Sequence, residues 1–72
     1  MLDLYNKCFN TVFDKYLSDI ENDNRDSHIF TIYLNGMSDE YLNNTSNVRK
    51  VIDYIAGMTD DFLLKEYETM VT

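Results

Sequence analysis

The chain contains no proline, no tryptophan, two glycines, one cysteine and one histidine in 72 residues. Each shortage excludes something. Without proline, and with glycine only at Gly36 and Gly57, little in the chain breaks a helix. A single cysteine, Cys8, rules out an internal disulfide framework, and there is no cluster of cysteines and histidines for a structural metal. Basic residues are few: six Lys and Arg against thirteen Asp and Glu, for a net charge of -7. A chain so acidic repels a phosphate backbone and an anionic bilayer, so direct nucleic-acid binding and membrane-surface binding are not expected. No apolar run approaches the roughly 20 residues that span a bilayer. The opening Met1–Phe9 stretch lacks a basic leader followed by an apolar core, so a signal peptide is not expected and the cytoplasm is the expected compartment.

What is present is apolar and aromatic. The hydrophobic fraction is 44%, with six tyrosines and four phenylalanines, too rich for a disordered chain. Residues 1–72 therefore read as one small domain. A core of this size supplies about 3–5 kcal/mol at most, which favours docking on a larger body or self-association.

From Leu4 to Ile20 the large residues recur in steps of three and four, through Tyr5, Cys8, Phe9, Val12, Phe13, Tyr16 and Leu17. That spacing predicts one long helix with Asp3 as its N-cap, ended by the polar run Glu21–Asn24. A second helix is expected from Asp26 or Ser27 to Gly36. The run His28–Leu34 (HIFTIYL) also suits a strand, but it has no second strand to pair with, and helix is preferred. Ser38 is expected to cap a short helical turn through Leu42, and Asn43–Ser46 to form a loop whose last members cap a third helix. In that helix Val48, Val51, Ile52 and Ile55 share one face up to Gly57; Thr59 then caps a fourth, with Asp60 and Asp61 at the positive end of its dipole. The expected fold is all-α: a small bundle of about four helices plus a short helical turn.

Catalytic constellations are not evident. His28 is the lone histidine and no orienting partner or nucleophile can be named for it; a surface or half-buried structural role is expected. Cys8 lies within the apolar stripe and reads as core. The acidic pairs Asp39–Glu40 and Asp60–Asp61 stand at helix starts, where carboxylates answer the dipole. Neither a phosphate-cradling GxxxxGK[ST] loop nor GxGxxG occurs. The aromatics at helical spacing read as packing and not as a stacking platform for bases.

One stretch is more specific. Arg49 to Asp60, and within it Asp53-Tyr54-Ile55-Ala56-Gly57-Met58-Thr59-Asp60, resembles a segment near the C-terminus of bacterial deoxyguanosine triphosphate triphosphohydrolase-like proteins of the HD-domain group. In that family a D-[YF]-I-A-G-M-T-D block precedes a closing helix. The resemblance implies a C-terminal phosphohydrolase-associated domain: an accessory part of a dNTP triphosphohydrolase, packed on the catalytic HD domain of the same parent or on another subunit, with homo-oligomerisation a further option. It implies no catalytic residue, cofactor or metal ligand in this chain, the divalent metal being held by histidines and a His-Asp pair in the parent's catalytic domain. The family block itself, Asp53, Tyr54, Gly57, Met58, Thr59 and Asp60, is expected to be structural or to face an interface. Relatives often carry a basic residue after the last motif aspartate, whereas Asp61 stands here.

From the residues themselves, Gly57 is expected to allow a tight turn or a close backbone approach, and Asp53 to seek Arg49, one turn earlier. Ile52, Ile55 and Met58 are expected to anchor the corner, and the Tyr54 hydroxyl to join Asp53 at an interface. The alternative function is a free-standing acidic helical module that binds another protein.

Overall fold

The computed structural model describes residues 2–71, and its regular structure is helical throughout, with no strand among those residues. The elements are α1 (Leu2–Glu21), a π-helical segment (Ile29–Tyr33) continued by a 3-10 turn (Leu34–Gly36), α2 (Asp39–Asn44), α3 (Asn47–Ala56) and α4 (Asp60–Val71). The long helix α1 is the spine, and α3 and α4 both pack along it while the π segment closes one end.

The buried positions explain why α1 forms. Cys8, Val12 and Tyr16, each one turn apart, face Val51, Tyr54 and Ile55 of α3 and Leu63 of α4, with Ile29, Phe30 and Leu34 completing the core. Burying a Val, Ile or Leu side chain contributes about 1.5–3 kcal/mol. Cys8 sits inside this core, as its place in the stripe suggested. The stripe extends beyond the core, however: Leu4 and Tyr5 at one end of α1, and Val48 and Ile52 on α3, remain exposed.

Local chemistry sets the element ends. α1 begins at Leu2, so Asp3 lies within its first turn, next to the free N–H groups, and is not the cap expected for it. The helix ends in a Schellman arrangement. The Asn24 N–H donates to the Asp19 carbonyl at 2.8 Å and the Asp23 N–H to the Ile20 carbonyl at 3.1 Å, with Asp23 in the left-handed region at φ 54. Ser38, Ser46 and Thr59 accept hydrogen bonds at 3.1 Å from the N–H groups of Tyr41, Arg49 and Phe62, so three of the expected caps are in place. Asn43 and Asn44 belong to α2, and the loop they were expected to open shrinks to Thr45 and Ser46.

The second helix differs most from expectation. Its Ile29–Tyr33 portion is wound as a π-helix, with the Leu34 N–H shared between the carbonyls of Ile29 and Phe30. The wider turn buries Ile29, Phe30 and Leu34 while Thr31 and Ile32 stay outside. β-branched Ile29, Thr31 and Ile32 weaken the preference for a regular α turn here.

Candidate functional site

The motif residues converge on the corner between α3 and α4. Asp53 sits on the last turns of α3, where its two oxygens are both engaged: Oδ1 accepts from Arg49 Nε at 2.9 Å and Oδ2 from the Tyr41 hydroxyl at 2.8 Å. The Tyr41 and Tyr33 hydroxyls are 2.9 Å apart, so α2, α3 and the π segment are stitched by one polar chain. Burial, then the neighbouring Tyr33 hydroxyl and the Asp53 carboxylate, push the Tyr41 phenol well above its ordinary range. A tyrosine held protonated keeps donating its hydrogen bond to Asp53 across the whole physiological range.

Tyr54 points the other way. Its ring is buried, stacked on Tyr33 at 5.3 Å and tilted against Tyr16 at 5.4 Å. Its hydroxyl thus belongs to the core and not to the outward surface expected for it. Burial first, and then the Glu66 charge, push this phenol up to about 12, while the adjacent Tyr16 hydroxyl pulls the other way. Tyr16 is itself engaged with Glu66, and the Tyr54 oxygen meets no hydrogen-bond partner in good geometry among the described residues.

Gly57 ends α3 at φ -86 and ψ -3, a conformation open to any residue. A Cβ there would meet the Tyr54 and Asp53 carbonyls at 3.6 and 3.8 Å, ordinary contacts. Neither reason expected for the glycine, a special turn or a close approach, applies within the chain. Ile55 is buried and Met58 packs half-buried against the core, while Ile52 is 37% exposed. Thr59 and Asp60 are exposed, the first as a cap and the second in the opening turn of α4 beside Asp61.

Around this corner the surface is grooved. Asp53, Tyr54, Gly57, Met58 and Thr59 line an open groove of about 280 Å³ together with Ile32, Tyr33 and Phe62. Across the first turn of α4, Asp60 lines a second groove of about 240 Å³ with Leu4, Tyr5, Cys8, Leu63 and Leu64. All six motif residues therefore border one groove or the other.

A second polar cluster was not foreseen. Glu66 is only 5% exposed, yet it carries a carboxylate on the buried face of α4. The Tyr16 hydroxyl donates to its Oε1, and His28 Nδ1 lies 2.8 Å and 3.1 Å from its two oxygens. Burial and the Glu66 carboxylate raise the Tyr16 phenol far beyond its ordinary range. The cluster ties α1, the turn before the π segment and α4 together. A carboxylate at Glu66, three residues after buried Leu63, was the available sequence signal: a charge on an apolar face requires a partner. Nearby, burial alone would raise Asp19, but Lys15 at 2.6 Å and Asn24 at 3.2 Å outweigh it and hold the carboxyl below its usual range. The hollow of about 400 Å³ beside these residues is lined by both signs of charge, with Lys15 given to Asp19 and His28 to Glu66.

Glu66 holds both His28 and the Tyr16 hydroxyl, so the pair is engaged within the fold. Among the described residues no group of three or more His, Cys, Asp and Glu side chains gathers to hold a metal ion. No helix among the described residues is long and apolar enough to cross a membrane.

The geometry thus describes an all-helical module whose distinctive residues border surface grooves. Residues 38–69, from the cap of α2 to near the end of α4, match the family model of the phosphohydrolase-associated domain. The match covers the whole Asp53–Asp60 block and supports this kind of domain, one associated with phosphohydrolases. Comparison with curated proteins and with solved structures finds no match.

Proposed function

We propose that this chain is the accessory C-terminal helical domain of an HD-type dNTP triphosphohydrolase of the dGTP-hydrolysing kind, packed on the catalytic HD domain or on a second subunit and without catalysis of its own. The observation that carries the reading is the phosphohydrolase-associated match across the Asp53–Asp60 block. The arrangement of the corner agrees with it. Residues held in place by caps and by the Arg49–Asp53–Tyr41 chain present grooves, not a reaction centre. The divalent metal of such an enzyme belongs to its catalytic domain. The donor set here does not fit it, because among the described residues no group of three or more His, Cys, Asp and Glu side chains gathers to hold an ion. A bacterial cytoplasmic setting completes the reading.

The test is dGTP hydrolysis with divalent metal supplied, measured on the chain alone and on a catalytic HD domain lacking this segment, before and after the chain is added. The chain alone is expected to be inactive, and its addition to raise the activity or thermal stability of the catalytic domain. Turnover that follows the chain through purification and disappears in His28→Ala would overturn the reading.

A further inference from the structure

We propose that Asn35 is a self-modifying position, an exposed asparagine that the Gly36 main-chain nitrogen converts to aspartyl and isoaspartyl forms without an enzyme. The chain has one Asn-Gly pair, and it stands here. Leu34–Gly36 is a three-residue 3-10 turn leading into the extended Met37, and hydrogen-bond geometry in such turns is poorer than in an α-helix. Asn35 and Gly36 are both exposed. Asn22 and Asn24 have their amides tied down, Nδ2 donating to the Ser18 carbonyl at 2.9 Å and to Asp19 Oδ1 at 3.2 Å. No hydrogen bond among the described residues holds the Asn35 amide. Gly36 adds access: a Cβ there would meet nothing within 4 Å, so neither a side chain of its own nor a neighbour crowds the approach.

The chemistry needs only water. The Gly36 nitrogen, its proton taken by a solvent base, attacks Asn35 Cγ, and the Cγ–Nδ2 bond breaks to release ammonia. Water then opens the succinimide ring at either carbonyl. Opening at Cγ leaves aspartate on an unchanged main chain, whereas opening at the Asn35 carbonyl carbon routes the main chain through Cβ and Cγ as isoaspartate. A side chain on the following residue hinders the attack. That separates Asn35 from Asn43, Asn44 and Asn47, which are also exposed but are followed by Asn44, Thr45 and Val48 and belong to α2 and α3. The new carboxylate has a setting. Asn35 lines a groove of about 370 Å³ with Arg25, Asp39 and Lys50, and Lys50 is in no ion pair among the described residues, so a cation is at hand for the added charge. The reaction stands apart from the accessory-domain reading and needs no partner.

The experiment incubates the full chain, folded and in urea, at pH 7 and pH 9, and follows the tryptic peptide spanning 26–49 by tandem mass spectrometry. That peptide holds Asn35 together with Asn43, Asn44 and Asn47, so the other three asparagines serve as internal references. In the folded chain the exchange of NH2 for OH is expected at Asn35 at least tenfold faster than at those three, faster at pH 9 than at pH 7, and as both aspartyl and isoaspartyl products. Gly36→Ala is expected to slow it at least tenfold. Alanine fits there, because Gly36 is outside the left-handed region and a Cβ has room, and circular dichroism checks that the helicity is kept. An Asn35 amide that survives in the folded chain, including one lost only in urea, overturns the proposal. So does loss spread evenly over the four asparagines, or a rate that Gly36→Ala leaves unchanged.

Discussion

At the residue scale, the two carboxylates held inside the domain behave differently from the many outside. Asp19 is almost fully buried and bridged by Lys15 and Asn24, which place its carboxyl below the usual range. A folded-state value below the unfolded one stabilises the fold fully above the unfolded carboxyl range and loses that contribution as pH falls through the folded value. Urea titrations at pH 7 and pH 3 are therefore expected to show a smaller loss of stability on acidification for Asp19→Asn than for the wild type. Gly57 is the opposite case, a residue whose identity the fold does not need. Because its backbone suits alanine and a Cβ has room, Gly57→Ala is expected to leave the isolated chain as stable or to stabilise it by about 0.4–1 kcal/mol. A thermal melt checks this, and a gain there combined with weakened docking would place the glycine's role at the interface.

At the scale of elements, what was legible followed from local rules. Ser38, Ser46 and Thr59 precede helices, and a hydroxyl at that position satisfies an N–H that the helix cannot. Replacing Ser46 or Thr59 by alanine is expected to cost about 0.5–2 kcal/mol each, read from the denaturation midpoint. Arg49 and Asp53 are one turn apart on α3, and the pair forms as that spacing allows. The π winding of Ile29–Tyr33 was not legible, because a period of 3.6 is assumed when apolar positions are counted and Ile29, Phe30 and Leu34 satisfy it either way. The left-handed Asp23 that ends α1 was hidden among four polar residues, any of which could have carried the turn. The Glu66 cluster was missed for a different reason. Its partners Tyr16 and His28 lie 50 and 38 positions away, and only the packing of α4 on α1 brings them together.

At the scale of the molecule, the domain is a slab of 37 × 20 × 16 Å built on α1, thin enough that much of its apolar surface stays in reach of a partner. Leu4, Tyr5, Ile32, Ile52, Phe62 and Leu64 remain exposed, and they include residues that border the two grooves at the motif corner. The small core and the exposed apolar residues at the motif corner fit the proposed packing on a larger body. The most direct measurement is the native size of the species carrying this segment, by gel filtration of a source-cell lysate with detection by an antibody against it, and dGTP hydrolysis assayed across the same fractions. The account predicts elution well above the 8.5 kDa of this chain, together with metal-dependent dGTP hydrolysis. Elution at 8.5 kDa, apart from any such activity, would contradict it.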